Sequence, residues 1–294
     1  MLKRIALFVI TNALILLMIV VVTQVFGIQP YLSRYDLNLP SLLIYSAIVG
    51  FGGAFISLAI SKWMAKWLMG VRVIKGQPMP GTAEAFVLDR VTALSQAAGL
   101  PKVPEVGIYE SAEVNAFATG ATKRGSLVAV SRGLLQNLNQ NEVDAVLAHE
   151  VAHIANGDMV TMTLLQGVVN TFVVFLSRVI AFFVSKFVNE NLGSIVYFVV
   201  MLVSQIILSI FGSMVVMAFS RHREFRADAG GAKLSGRENM IAALDRLRTT
   251  VDLVDQTKPA MQTMRISGGR PGWMKLFMSH PPLEDRIARL RSEA

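Results

Sequence analysis

The chain has 294 residues, 53% of them hydrophobic and only 16% charged. A soluble globular surface needs about a quarter of residues charged, and a disordered chain needs far lower hydrophobicity, so both classes are excluded. The net charge of +8, set among long uncharged stretches, fits Lys and Arg flanking membrane spans better than a nucleic-acid surface. Because cysteine is absent, disulfides, thiol nucleophiles and Cys-ligated metals are excluded, and any metal or acid–base chemistry falls to His, Asp and Glu.

Ile5–Phe26 and Leu39–Ile60 are each 22 residues without a charge, and roughly 20 helical residues cross a bilayer core. Lys3 and Arg4 precede the first run as they would in a signal peptide. That run exceeds the about 7–15 residues of a signal core and no small-x-small site follows Phe26, so it reads as a retained anchor. Lys62, Lys66, Arg72 and Lys75 follow the second run with no acid among them, which by the positive-inside rule places this segment and the N-terminus in the cytoplasm. A polar stretch comes next and reads as mixed α and β. Apolar spacing predicts a helix over Thr82–Ala98, with Gly99 and Pro101 beyond it. Glu105–Glu110, Asn115–Thr119 and Ser126–Val130 read as a small sheet. Asn139–Asn156 reads as a helix closed by Gly157.

Two further apolar runs follow. Met159–Ser185 carries Thr161, Thr163, Gln166, Asn170 and Thr171, and Arg178 either turns to an interface or another helix or handles substrate or lipid. Leu192–Ser220 is 29 residues without a charge. Joined by the short loop Lys186–Asn191, the pair goes out and back, returning the C-terminal part to the cytoplasmic side. Beyond it, Arg237–Thr249 reads as a helix, Leu253–Gly272 as a flexible loop and candidate lid, and Pro282–Arg291 as a terminal helix.

The chemistry concentrates in His149-Glu150-Val151-Ala152-His153. Residues four apart share a helix face, so both imidazoles can reach one metal ion, with Glu150 near enough to take a proton from an activated water. A catalytic zinc normally has three protein ligands. The third is His222, His280 or a carboxylate, and the best local candidate is the pair Glu224 and Asp228, again four apart, directly after the fourth run. One would be a ligand and the other an orienting partner of an imidazole. The hairpin of two crossings brings this segment back to the face that bears the His pair.

These elements occur in order with Asn115-Ala116-Phe117-Ala118-Thr119-Gly120, with Ile154-Ala155-Asn156-Gly157-Asp158 closing the His helix, and with His280-Pro281-Pro282-Leu283 near the end. Over essentially its whole length the chain thereby resembles the HtpX family of bacterial membrane-integrated zinc metalloproteases, relatives of the CAAX prenyl proteases. The resemblance implies one Zn2+ per chain held by His149, His153 and Glu224, with Asp228 orienting a ligand and Glu150 as the catalytic base. It leaves His222 structural. Asn115 matches the edge of a substrate cleft, and His280 and Arg286 match positions that approach the active site, where they are candidates for substrate or oxyanion contacts.

The expected architecture is an α-helical membrane protein of about four apolar helices with a cytoplasmic α+β zincin-like metalloprotease domain. Residues 1–61 and 159–220 form the two membrane hairpins, and 62–158 and 221–294 the two protease parts. The implied substrates are misfolded or damaged membrane proteins of the bacterial inner membrane, with the lipid bilayer as the other partner and no nucleic acid. The competing readings are a processing protease for one C-terminal motif and a non-catalytic zinc-binding scaffold.

Overall fold

The computed structural model describes residues 38–257 and 278–292, without the side chains of 250–257. The expected span at Ile5–Phe26 lies outside the described residues. The chain divides into two compact units, one comprising 38–59 and 161–216 of the described residues, the other 60–160 and 217 onward.

The first unit is built from three long helices, α1 (Leu39–Met69), α5 (Asp158–Ser185) and α6 (Glu190–Ser235), which among the described residues are the ones long and apolar enough to cross a membrane. Lipid gives helices no hydrophobic reason to associate, so close packing decides where they touch. Gly50 of α1 lies where a β-carbon would collide with the Thr171 backbone of α5, and Gly167 of α5 would collide with the Phe51 ring. Arg178 faces another helix: it donates to the Val174 carbonyl at 3.1 Å and to the Tyr45 hydroxyl at 3.3 Å. Its guanidinium also lies 5.0 Å from the Tyr45 ring centre.

The second unit holds a four-stranded sheet in the order β1-β2-β4-β3. The strands are β1 (Arg72–Val73), β2 (Glu105–Tyr109), β3 (Ala116–Thr119) and β4 (Leu127–Ser131). β2 and β4 run parallel, with Val106 opposite Val128, while β1 and β3 are antiparallel edges. β4 is buried at every position because it is central and covered on both sides, which explains its unbroken apolar run. Against the sheet pack α2 (Ala83–Ala97), through Val87 and Val91, and α4 (Gln140–Asn156), through Leu147, Val151 and Ile154. Each such side chain contributes about 1.5–3 kcal/mol when fully buried. The other face of α4 meets α7 (Arg237–Thr257) and α8 (Leu283–Ser292): Ala145 joins Met240, Ala243, Leu244, Ile287 and Leu290 in a second core. α4 is thus enclosed on two sides.

Local chemistry sets the boundaries. Thr82 caps α2, and Asn139 and Glu142 form a reciprocal capping box on α4. Gly157 ends α4 in the left-handed region at φ 71°, which costs glycine nothing. Two elements were not expected from sequence, the two-residue β1 and the short helix α3 (Arg132–Asn137), whose first turn is capped by Ser131. α7 also runs to Thr257, so the expected loop from Leu253 begins in helix; Lys258 precedes a proline, which disfavours helix at that residue. Residues 258–272 of that loop lie outside the described residues.

Candidate metal centre

α4 delivers His149 and His153, four apart on one face, and α6 delivers Glu224 past the apolar run that ends at Ser220. Their approach depends on two glycines of α6. A β-carbon at Gly230 would stand 2.9 Å from that of Ala152, and one at Gly231 3.0 Å from the His149 nitrogen, so the backbones of α6 and α4 are in near contact.

The two Nε2 atoms lie 3.1 Å apart. Glu224 meets them both, with one oxygen 3.4 Å from His149 Nε2 and the other 3.3 Å from His153 Nε2. All three residues are buried, Glu224 completely, and their donor atoms lie within 4.8 Å of one another. Two nitrogens and a carboxylate oxygen form a fitting set for a zinc ion, so these residues could hold a metal.

The outward nitrogens are also committed. His149 Nδ1 faces Asp228 at 3.0 Å, and His153 Nδ1 faces Asp158, the first residue of α5, at 2.6 Å. A carboxylate on Nδ1 fixes the tautomer that leaves the Nε2 lone pair turned inward. Asp158 is the residue to which the sequence reading gives no role. Its signal was a carboxylate placed directly after the glycine that closes the helix.

Burial alone would suppress charge on the imidazoles, but hydrogen bonds to carboxylates prevail. His149 is raised, against burial, by Asp228 and Glu224, and His153 is pushed up to about 9 by Asp158 and Glu224. Glu224 and Asp228 are held below the usual carboxylate range, again against burial, by the imidazoles and, for Asp228, by Arg286. Protons and a metal would therefore compete for the same lone pairs.

The remaining expected residues distribute as follows. Glu150 and Asn115 line a cavity of about 130 Å³ together with His149, Glu224, His280 and Arg286. The Asn115 backbone is pinned, its N–H donating to Ser131 Oγ at 3.1 Å and its carbonyl accepting from the Ser131 N–H at 2.9 Å. The ring of His280 is more than half exposed, with Nδ1 2.7 Å from a Glu224 oxygen. Arg286 is buried and donates from Nε and Nη2 to the two oxygens of Asp228. His222 is exposed and outside the cluster.

The family model of peptidase family M48 matches residues 83–294. The chain belongs to peptidase family M48. Among its M48 relatives is the protease HtpX homolog of Bacillus velezensis, 52% identical over 299 residues and matched along the full length of both chains. Another is protease HtpX of Thioalkalivibrio sulfidiphilus, 52% identical over 295 residues that cover 99% of each chain. The crystal structure of Ste24p from S. mikatae shares the fold, with a TM-score of 0.69 at 18% identity over 99% of this chain; the chain spans 65% of the length of that protein. This M48 chain is a bacterial membrane metalloprotease.

Proposed function

We propose that the chain is a membrane-bound zinc endopeptidase that hydrolyses misfolded or damaged inner-membrane proteins at the cytoplasmic face. The observation that carries this reading is the convergence of His149 Nε2, His153 Nε2 and the Glu224 carboxylate beside a cavity that Glu150 also lines. His149, His153 and Glu224 would hold one Zn2+. When bound, the ion supplies Lewis-acid polarisation of the scissile carbonyl and a water acidic enough to ionise near neutral pH.

The chain's own residues do the rest. Glu150 accepts a proton from the attacking water as its oxygen bonds to the carbonyl carbon, then delivers that proton to the amine nitrogen as the C–N bond breaks. Asp228 and Asp158 hold the two imidazoles in the tautomer that presents Nε2. β3 is an edge strand, and its neighbour Asn115 and first residue Ala116 line the cavity. An extended substrate added to that edge would be aligned by main-chain hydrogen bonds, which read no sequence and suit unfolded segments of many kinds. The cytoplasmic placement rests on Lys62, Lys66, Arg72 and Lys75 at the end of the second apolar run. On this reading 1–61 and 159–220 are the membrane hairpins, and 62–158 with 221–294 the protease.

The test is proteolysis of an unfolded protein by the detergent-purified chain. Cleavage is expected to stop with a chelator, to return with Zn2+, and to be lost in Glu150→Gln. A Glu150→Gln chain that cleaves at the wild-type rate contradicts the mechanism. Cleavage of only one C-terminal motif in a peptide library would replace the quality-control substrate class with a dedicated one.

A further inference from the structure

Arg286 is only 7% exposed and stands on α8, the C-terminal helix. Its Nε lies 2.7 Å and its Nη2 2.6 Å from the two oxygens of Asp228, a fork-to-fork pair. Asp228, 1% exposed, passes one of those oxygens to His149 Nδ1 at 3.0 Å. A carboxylate gripped along one edge by a planar guanidinium keeps a single orientation toward its other partner. The ring of His149 is thereby fixed from outside the ligand set.

α8 reaches this position by several independent contacts. Ile287 and Leu290 are buried among Ala145, Met240 and Leu244. The Arg289 guanidinium lies 4.9 Å from the Phe225 ring centre of α6, and Arg221 of α6 donates to the Met278 carbonyl at 2.9 Å, just ahead of α8. The guanidinium has little left for a substrate oxyanion. Two of its three nitrogens serve Asp228, Nη2 also standing 3.5 Å from His149 Nδ1, and the third, Nη1, is 3.9 Å from Glu224.

We propose that Arg286 is a positioning residue: through its bidentate hold on Asp228, the C-terminal helix sets the orientation of His149 and so completes the metal centre. This rests on the zinc reading given above. Seating of α8 and occupancy of the metal site are then linked, each favouring the other.

The experiment measures Zn2+ affinity of the full-length, detergent-purified chain by competition with a chelator, and kcat and KM at saturating Zn2+. Arg286→Lys keeps the charge that Asp228 needs but not the fork. It is expected to weaken zinc about 10–100-fold, so that activity at limiting Zn2+ falls in step with zinc occupancy and rises as Zn2+ is added. Wild-type zinc affinity combined with a lost kcat would assign Arg286 to the oxyanion and overturn the proposal. Should Arg286→Lys not fold, Arg286→Gln keeps a donor beside Asp228 without the fork and leaves the carboxylate in place, and the same readout applies: weakened zinc supports the proposal and wild-type affinity overturns it. A wild-type chain that binds no zinc removes the metal centre itself, and this inference with it. Zinc held equally by wild type and Arg286→Lys removes this inference alone.

Discussion

An imidazole is a useful ligand only while one nitrogen is kept free of its proton, and here each ring has a carboxylate to arrange that. Asp158→Asn is therefore expected to weaken zinc about 10–100-fold, read by chelator competition, although Asp158 acts only through its contact with His153 Nδ1. Glu150→Gln is expected to bind zinc as the wild type does while losing about 10²–10⁴ in kcat. The His153–Asp158 contact also gives a pH signature of opposite sign for the two states of the site. The folded-state pKa of His153 is raised from 6.5 to about 9. In metal-free protein its stabilisation is complete below the unfolded value and is lost as pH rises through about 9. Zinc must displace that proton, so its affinity climbs over the same interval. Thermal unfolding with and without Zn2+ between pH 6 and 9 should show metal-free stability falling from this pair while the zinc-induced gain grows; a zinc gain independent of pH would contradict the assignment of His153.

At the level of elements, the close crossing of α4 and α6 is what turns two distant motifs into one site. Gly231→Ala places a methyl group 3.0 Å from the His149 nitrogen and 3.2 Å from its Cα, both backbone atoms that cannot swing aside. Overpacking of this kind costs about 1–3 kcal/mol, and here it should also draw Glu224 away from the imidazoles. A lowered melting temperature together with weaker zinc is expected; wild-type values of both would mean that α6 is free to shift. The helices were legible in the sequence because their signals are local. Asn139 with Glu142 marks the start of α4, Gly157 marks its end, and apolar residues at three and four mark its buried faces. β1 was not legible, since two residues carry no period, and only pairing with Gly107 and Ile108 defines them. The glycine pair at 230 and 231 was equally silent, because sequence does not show what a missing side chain lets approach.

For the whole molecule, the site could be read as far as its chemistry was encoded by spacing, and no further. His149 and His153 share a face as a four-residue period implies, and it is the resemblance that singles out Glu224, which lies beside them. The role proposed for Asp158 rests on a local contact, five residues from His153, that no spacing rule marks, whereas that of Arg286 depends on tertiary approach: it meets Asp228 across 58 positions of sequence. The proposed ligands join α4 to α6, and the carboxylates and guanidinium behind them reach α5 and α8, so metal binding should be felt across this unit. At free zinc about 100 times Kd the gain is about 2.7 kcal/mol, so chelation should lower the melting temperature of the purified chain and abolish proteolysis together. The most direct measurement is the position of the metal itself, from anomalous diffraction of zinc-loaded crystals recorded at the zinc edge. One peak per chain is expected, about 2.0–2.2 Å from His149 Nε2, His153 Nε2 and a carboxylate oxygen of Glu224. A peak elsewhere, or none at this cluster in an active preparation, would contradict it.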